Sequence, residues 1–401
     1  MSSLLSYVWL SLKRGLGNYL RAEVLRRMGS PEAVYAADST MLAQSCPSLR
    51  RQHIELLCDK STDEAEQVIT QCAREDIRIL PVSDAVYPDR LRQIEDPPVV
   101  LYIRGRWPDF DTMPGIAVVG TRQATSYGVQ VAGTIGAELA KAGFVTVSGM
   151  ALGNDAAAHR GALRASGLTV AVLAGGPDVC YPPQNRALMG DILLSGAVIS
   201  EYPPGTEPDG LNYKSRNRII SGLCVATVIV EAGSARSGAL ITARHALDQS
   251  RDVYAVPGAM GAPQSRECNA LIERCEAALL NDPRALVREY ASLLPGGAAA
   301  FHAYTRPPVA RTVPKQRTAP ERRTPAKPAP APEKPAFAMP EGLDENEQKI
   351  VRLVGEGMHS LEELVECCGL PAPRLMCMVT TLEMEGVLER DAANVRLAGQ
   401  E

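Results

Sequence analysis

The chain has 401 residues, of which 45% are hydrophobic and 22% are charged, and its formal net charge is −4 at pH 7. This length predicts roughly two to four domains, and the apolar fraction is sufficient for a sizeable core. A net negative charge excludes a uniformly basic nucleic-acid binder, so any such site has to be a local patch. The N-terminal apolar run precedes the basic residues, which is the wrong order for a signal peptide, and no run reaches the roughly 18 apolar residues of a membrane span.

The ten cysteines form no C-x-x-C pair and lie mostly within apolar patterns. This usage is typical of reduced core thiols in a cytoplasmic protein, and the spacing does not favour a zinc site. We therefore expect a cytoplasmic protein without a membrane anchor, a bound metal or a cofactor.

Residues 1–75 predict a small domain of short helices, because apolar residues recur there at intervals of three and four. Ser30 is expected to cap one of these helices, with Pro31 in its first turn. This segment carries no residues that indicate a chemical role.

Residues 76–299 alternate short apolar runs with helical patterns. The runs are IAVVG, FVTVSG, LTVAVLAGG, AVISEY, ATVIVEA and DVYAVPG, and the stretches between them include YGVQVAGTIGAELAKAG and GALITARHALDQS. Nearly continuous β-branched runs are typical of strands buried on both faces. The pattern therefore predicts an α/β fold with a Rossmann-like, doubly wound and mostly parallel sheet.

Two further segments follow this core. Residues 300–340 are rich in Pro and Ala, with Lys and Arg in excess of acids, which predicts an extended linker, either a solvated spacer or a tether that also touches a polyanion. Residues 341–401 predict a helical domain that resembles a winged helix, with Ser360 as a cap and a turn at 369–371. The expected recognition helix, 373–385, carries one basic and two acidic residues, which argues against tight contact with DNA.

The first strand end of the sheet carries an anion-binding pattern. In an open parallel sheet, ligands bind at the carboxyl ends of the strands. Gly120, Thr121 and Arg122 follow the first strand, with Ser126 as a possible helix cap. Backbone N–H groups at a helix start favour an anion, and the arginine fork fits phosphate oxygens. The alternative is that Arg122 pairs with a surface acid.

The next two strand ends carry glycines that allow a close approach to a ligand. They are Ser148 with Gly149 in SGMALGNDAAAHRGAL, and Gly175 in AGGPDVCYPPQNR. Asp155 is expected to cap the following helix. His159 is expected to be a helix residue with a local partner, with an acid–base role as the alternative.

The loop after the fourth strand, EYPPGTEPDGLNYKSRNRIISGL, has the densest set of candidate residues. Lys214, Arg216 and Arg218 lie beside Tyr213, with Asn217 between the arginines. Basic side chains next to an aromatic ring suit single-stranded nucleic acid, because the charges meet the backbone and the ring meets a base. A basic helix start also opposes the helix dipole and favours an anion. The alternative is a helix N-terminus with solvated charges.

After the fifth strand, the turn EAGSARSG brings Arg236 and Ser237 to a helix start. Several such turns on one edge of a sheet predict a cationic strip that suits a polyphosphate chain. Glu201 and Glu231 also lie at strand ends, where they either act as acid–base groups or pair with the arginines. The sequence contains neither the P-loop pattern GxxxxGK[ST] nor the nucleophile elbow GxSxG.

From about residue 80 to 290, an ordered set of motifs resembles the DNA-processing protein A family, also called DprA or Smf. The motifs are VVGTRQATSYG, VSGMALGNDAAAHRGAL, LAGGPDVCYPPQNR, RNRIISGL and VIVEAGSARSGALITARHAL. The resemblance implies a non-catalytic core that binds single-stranded DNA, protects incoming strands in natural transformation and helps to load the RecA recombinase. It also implies a homodimer formed through this core, with Arg122 binding a phosphate and residues 213–218 gripping the strand. The outer segments are similar to that family's outer domains.

Three positions depart from that family's pattern. Leu152 and Ser215 stand where the family often has basic residues, and Glu267 stands where it tends to have a glycine. These differences predict either a weaker affinity for DNA than the family pattern implies, or a compensating contact from Lys214.

The competing function is a nucleotide-binding or nucleoside-phosphate-hydrolysing enzyme of similar fold, whose loop has the pattern PGGxGTxxE. The corresponding stretch of this chain, EAGSARSG, lacks the acid that should follow the glycines. Since a fold alone does not define a function, this difference favours a protein that is not an enzyme.

Overall fold

The computed structural model of the chain describes residues 2–296, 344–355, 364, 367–368, 372–384, 387–391 and 394–397. The chain divides into two compact units, Met1–Arg311 and Thr312–Glu401. None of the helices in the described part of the chain has the length and apolar character that a membrane crossing needs.

The first unit begins with a layer of short helices. They are α1 (Ser3–Ser11), α2 (Asn18–Met28), α3 (Pro31–Ala36), α4 (Ser39–Ser45), α5 (Arg51–Cys58) and α6 (Asp63–Arg74). The Ser30 hydroxyl accepts a hydrogen bond from the Ala33 N–H, and Pro31 lies in the first turn of α3, as predicted. The core of these helices also takes in Val100 and Tyr102 of the adjoining sheet, so the helical layer is packed directly onto the sheet.

A nine-stranded sheet forms the centre of this unit, in the order β1-β2-β6-β5-β4-β3-β7-β8-β9. The strands are β1 (Arg78–Pro81), β2 (Val100–Gly105), β3 (Gly115–Val119), β4 (Val145–Ser148), β5 (Thr169–Leu173), β6 (Ala197–Ser200), β7 (Cys224–Ile229), β8 (Asp252–Ala255) and β9 (Ala278–Leu279). β2 pairs antiparallel with β1 and with β6, and the remaining neighbours are parallel. The six predicted apolar runs correspond to β3–β8, and the mostly parallel α/β fold is confirmed.

Helices cover both faces of this sheet. They are α7 (Asp89–Arg92), α8 (Ser126–Ala142), α9 (Asn154–Arg164), α10 (Arg186–Ser195), α11 (Gly210–Gly222), α12 (Gly238–Asp248), α13 (Arg266–Glu273) and α14 (Pro283–Tyr290). Alternate residues of β3 enter two separate cores, with Ala117 and Val119 in one and Ile116 and Val118 in the other. Thr125, rather than the predicted Ser126, caps α8 by accepting the Gly128 N–H.

The order of the strands creates a crevice at the middle of the sheet. The chain passes from β3 to β4, β5 and β6 on one side, and then returns to β7 and β8 on the other side of β3. The loops after β3 and β7 therefore diverge at the carboxyl edge of neighbouring strands. Such a switch point is where doubly wound sheets bind their ligands.

The described residues of the second unit include two helices and a two-stranded sheet. The helices are Glu345–Gly355 and Ala372–Met384, and β10 (Leu388–Asp391) pairs antiparallel with β11 (Asn394–Leu397). A small core includes Ile350, Val354, Leu375, Val379 and Leu388. The predicted recognition helix corresponds to Ala372–Met384. The predicted linker, the cap at Ser360 and the turn at 369–371 lie outside the described residues.

Candidate functional site

A cavity of about 400 Å³ opens at the switch point of the sheet, and we call it the switch-point pocket. It lies at the carboxyl ends of β3 and β7, where the sequence predicted a ligand. Its lining includes Val119, Gly120, Thr121, Arg122, Gln123, Ala151, Asp155, Tyr213, Lys214, Arg216, Asn217, Ser237, Gly238 and Thr242. The structure therefore brings together four segments of the chain: the turn after β3, the loop after β4 with the start of α9, the start of α11 and the start of α12.

The turn after β3 is held in place by the end of β7. The Thr121 N–H donates to the Glu231 backbone carbonyl at 2.9 Å. The Glu231 carboxylate, which is 1% exposed, accepts from the Thr125 N–H at 3.1 Å and from the Thr125 hydroxyl at 2.5 Å. Glu231 thus fixes the loop that carries Arg122, and the ion pair with an arginine considered for it is not found among the described residues.

Arg122 is exposed at the mouth of the switch-point pocket. Its guanidinium carbon lies 4.9 Å from the centre of the Tyr213 ring, within the range of a cation–π contact. No ion pair to Arg122 or to Lys214 is found in the part of the chain that the structure describes. Both cations are therefore positioned by the fold and remain available to an external anion.

The start of α12 adds a third cationic element to this pocket. Ser237 precedes the helix without a side-chain cap, and Gly238 and Ala239 line the pocket. A helix N-terminus carries unsatisfied N–H groups and a partial positive charge, both of which favour an anion. Arg236 is exposed in the same turn but does not line the pocket.

Arg216 forms the floor of the switch-point pocket. It is 5% exposed, and it donates to the carbonyls of Gly149 and Val172 and to the Asn217 side chain. Burial lowers the pKa of Arg216, while the neighbouring Asp155 carboxylate opposes that shift. Arg216 therefore supplies a fixed positive charge from below and also holds the loop at Gly149 in position.

Asp155 supports this loop in a way that the sequence did not predict. It lies inside α9, whose N-cap is Gly153, and its carboxylate accepts from the N–H groups of Gly149 and Ala151 at 3.1 and 3.4 Å. Burial raises the pKa of Asp155, and Arg216 opposes that rise. Asp155 therefore holds the preceding loop instead of capping the helix, because the N-cap of α9 is Gly153, two residues earlier than predicted.

Arg218 lies away from the pocket, contrary to the expectation that it faces a DNA strand. Arg218 is 2% exposed, and its guanidinium donates to both Glu201 carboxylate oxygens at 2.8 and 2.9 Å and pairs with Asp96 at 2.9 Å. Burial disfavours the charge, but Glu201 and Asp96 outweigh it and raise the pKa of Arg218. The pairing of Glu201 with an arginine, one of its two predicted roles, is found in the structure.

Two other predicted site residues, Ser148 and Gly175, lie at strand ends of the sheet and not in the lining of the pocket. The buried Ser148 hydroxyl donates to the Val118 carbonyl at 2.6 Å. Gly175 is buried after β5, and a Cβ at this position would lie 2.6 Å from the Thr206 carbonyl oxygen. Neither residue lines the switch-point pocket: Ser148 links β4 to β3, and Gly175 allows the loop at Thr206 to pack closely.

The structure at the start of α11 contradicts the prediction that the basic residues there oppose the helix dipole and favour an external anion. The helix begins at Gly210, and the Asp209 carboxylate accepts from the N–H groups of Leu211 and Asn212, each at 2.8 Å. The N-terminus thus has an anion from its own chain, and Lys214 lies beyond the first turn. The availability of Lys214 follows from its exposure, not from the dipole.

His159 has the local partner that was expected. It is fully buried in α9, and its Nδ1 lies 2.6 Å from the Thr169 hydroxyl oxygen. Since the Thr169 hydroxyl donates to the Thr146 carbonyl, His159 Nδ1 carries the proton and donates to Thr169. Burial lowers the pKa of His159 to about 3. A neutral, inaccessible imidazole excludes the acid–base alternative.

The three departures from the family pattern have different surroundings. Ser215 accepts a hydrogen bond from the Asn18 amide at 2.7 Å, which links α11 to the helical layer. Leu152 is 39% exposed and lines a second, smaller cavity beside Arg122. The Glu267 N–H donates to the Ala232 carbonyl at the start of α13, away from the pocket.

Tyr181 is a site residue that sequence reasoning missed. It lies in the stretch YPPQNR after β5, and it was not among the predicted site residues. Its ring is 49% exposed and its centre lies 6.2 Å from that of Tyr213. The only available signal was an aromatic residue at a strand-end loop, since the approach of two loops that are about thirty residues apart depends on the fold.

Fold and site together define a Rossmann-like protein with an open, cationic crevice at its switch point. The model of the DNA recombination-mediator protein A family matches residues 78–291, and that of the DprA winged helix domain matches residues 325–394. The first match spans more than half of the chain, and the chain belongs to this family.

Individual relatives agree with this assignment. Protein Smf of Synechocystis sp. is 40% identical over 223 residues, which cover 55% of this chain and 56% of that protein. DNA processing protein DprA of Bacillus subtilis is 39% identical over 197 residues, which cover 49% of this chain and 66% of that protein. The X-ray structure of DNA processing protein A from Streptococcus pneumoniae superposes with a TM-score of 0.63 at 30% identity, and the match covers 72% of this chain and 99% of that one.

Proposed function

We propose that the chain is a non-catalytic DNA-processing protein that binds single-stranded DNA at the switch-point pocket. In this role it protects incoming strands in natural transformation and helps to load the RecA recombinase. The observation that carries the proposal is the convergence on one open crevice of the start of α12 with two cations, Arg122 and Lys214, that form no ion pair among the described residues.

The groups around this crevice suit a phosphate chain. An arginine fork, an ammonium group and helix N–H groups each favour phosphate oxygens. None of them reads a base edge, so the expected binding is tolerant of sequence. Since the crevice is open rather than closed around one nucleotide, a strand is able to enter and leave it.

Two buried carboxylates argue against the enzyme alternative, of which Asp155 lines the switch-point pocket and Glu231 does not. The Asp155 carboxylate accepts hydrogen bonds from two backbone N–H groups, and the Glu231 carboxylate accepts from the backbone N–H and the hydroxyl of Thr125. A general acid or base needs a carboxylate within reach of the substrate. These two carboxylates serve the loops instead, which supports a binding role.

Three parts of the proposal rest on family membership. They are the transfer of the strand to RecA, the homodimer through the core, and the cytoplasmic location. The absence of a metal and of a cofactor also stays a prediction.

Fluorescence anisotropy of a labelled oligonucleotide tests the proposal directly. Single-stranded and duplex forms of one sequence are titrated across a salt series. We expect tighter binding of the single strand, with an affinity that falls linearly in a log–log plot against salt by a slope of about 0.7 per phosphate contact. No binding of either form at low salt would contradict the proposal and lead to assays of nucleotide hydrolysis.

A further inference from the structure

A second concavity lies beside the switch-point pocket and shares a wall with it. Its volume is about 90 Å³, and we call it the tyrosine pocket. It is lined by Arg122, Gly149, Ala151, Leu152, Tyr181, Pro182 and Tyr213. Arg122 and Tyr213 line both cavities, so a group held in the first lies next to the opening of the second.

The two tyrosines of this wall differ in what their rings are able to contact. Tyr213 is half-buried, and its ring is approached by the guanidinium carbons of Arg122 at 4.9 Å and Arg216 at 5.8 Å. Its hydroxyl is buried without a hydrogen-bond partner among the described residues. The Tyr213 ring is therefore surrounded by protein groups, and it is a poor platform for an incoming base.

Tyr181 has the opposite character. Tyr181 is 49% exposed, and its ring lies tilted by 57° to that of Tyr213, so much of the residue is accessible to a ligand. Leu152, 39% exposed, and Pro182 extend this surface, and Arg122 is the only charged residue of the lining. An open aromatic face flanked by apolar groups suits a planar, weakly polar ligand.

We propose that Tyr181, with Leu152 and Pro182, forms a base subsite next to the phosphate that Arg122 holds. The inference rests on the proposed function. Each base is attached to the same sugar–phosphate unit as its phosphate, so a phosphate at Arg122 brings an unpaired base to the tyrosine pocket. A base in a duplex is paired and stacked and offers no free face, whereas every unpaired base has a π-face for stacking.

In this proposal, Tyr181 replaces Tyr213 as the residue that contacts a base. The sequence predicted that Tyr213 stacks on a base, whereas the geometry gives Tyr213 the role of a support that positions Arg122. It also gives the departure at Leu152 a function, because an apolar side chain at this position extends the surface on which a base packs. A basic residue there would add a further phosphate contact instead.

The test compares Tyr181→Ala, Tyr181→Phe and a matched control, Tyr19→Ala, whose tyrosine on α2 is 48% exposed. The probe is a labelled oligothymidine strand, together with a strand of the same length whose bases are replaced by abasic sites. We expect Tyr181→Ala to weaken binding of oligothymidine about 5- to 150-fold, as for the loss of one base–aromatic stack. Tyr181→Phe and Tyr19→Ala should bind like the wild type.

Two readouts separate a base contact from a general loss of structure. The salt slope of Tyr181→Ala should equal that of the wild type, because no phosphate contact is lost. On the abasic strand, the wild type and Tyr181→Ala should bind equally. Equal losses on both strands, or a failure of Tyr181→Phe to restore binding, would overturn the subsite.

The same experiment distinguishes this inference from the proposed function. If Arg122→Ala weakens binding and Tyr181→Ala does not, the base subsite alone is wrong. If the wild type binds neither strand at low salt, both proposals are wrong.

Discussion

Arg122 and Arg218 lie ninety-six positions apart and illustrate how the surroundings of an arginine define its role. Arg122 is exposed and forms no ion pair among the described residues, so the fold gains little from its charge. We expect Arg122→Ala to weaken binding of single strands of every sequence and to reduce the salt slope by about 0.7. The urea unfolding curve should not change. An unchanged affinity and slope in a folded variant would contradict the assignment of Arg122.

Arg218 should show the reverse behaviour. Removal of Arg218 leaves Glu201, which is 8% exposed, without its buried partner. We expect Arg218→Ala to lower the free energy of unfolding by about 3–5 kcal/mol, as measured by urea denaturation. Arg51→Ala is the control, because its pair with Glu55 is solvent-exposed and should have little effect. A stable Arg218→Ala variant that loses DNA binding would show that Arg218 acts on the strand after all.

The buried His159 should make the stability depend on pH. Its pKa is near 3 in the folded chain and about 6.5 in an unfolded chain, so the unfolded state binds the proton first as the pH falls. The contribution of neutral His159 is therefore complete above about pH 6.5 and is lost between that pH and about pH 3. In the folded state, a proton on Nε2 would have no acceptor, because this atom is buried without a partner among the described residues.

His159→Leu tests this dependence, because it removes the titration and keeps an apolar side chain. Over the range from pH 6 to pH 4, the free energy of unfolding of the wild type should fall more steeply than that of the variant, by up to about 1.4 kcal/mol per pH unit. Parallel pH profiles of the two proteins would show that His159 does not titrate on unfolding.

At the scale of elements, the parallel strands were the most predictable part of the fold. β3–β7 are buried along their length, and a strand buried on both faces reads as a continuous apolar run. The antiparallel pairing of β1 and β2 was not predicted. The direction of a strand depends on which neighbours it meets, and no local pattern in RILP or VLYIRG encodes those neighbours.

Helix α11 explains why the sequence predicted the exposure of the basic cluster only in part. Lys214, Arg216 and Arg218 are adjacent in sequence, but every residue from Arg216 to Gly222 is buried, whereas Lys214 is exposed. The boundary between the exposed and the buried part of this helix cuts through the cluster. Because that boundary is set by the packing of α11 against α12 and the sheet, the three clustered cations of the sequence become one exposed and two buried cations in the structure.

The packing of α8 against α9 depends on glycines and gives an element-scale prediction. A Cβ at Gly136 would collide with the Ala158 carbonyl, whereas Gly190, on the exposed side of α10, has open space around it. We expect Gly136→Ala to destabilise the fold by about 1–3 kcal/mol, since it forces the helices apart. Gly190→Ala, the matched control, should stabilise it by about 0.5–1 kcal/mol. Calorimetric midpoints that shift in the same direction would contradict this view of the helix crossing.

At the scale of the whole molecule, the helical layer and the sheet behave as one structural unit. The Asn18 amide donates to Ser215 on α11, and it also lies 3.4 Å from the Glu201 carboxylate that pairs with Arg218. The helical layer is therefore hydrogen-bonded to the helix that carries Lys214 and Tyr213. A change in this layer is expected to alter the position of α11 and, through it, the switch-point pocket.

The position of the site within the chain predicts the effect of removing the C-terminal quarter, residues 300–401. All residues that line the switch-point pocket and the tyrosine pocket lie between Val119 and Thr242, within the first compact unit. The solved Streptococcus pneumoniae relative is matched over 99% of its length by 72% of this chain. A variant that ends at residue 299 should thus keep most of the single-strand affinity.

A second truncation, which removes only residues 341–401, separates the linker from the domain that follows it. If the basic linker acts only as a spacer, both truncations should bind with the same affinity and the same salt slope. If it also contacts the strand, the longer variant should bind more tightly, with a salt slope that is steeper by about 0.7 for each added phosphate contact. Loss of binding in the variant that ends at residue 299, with its unfolding transition intact, would move the binding site out of the core.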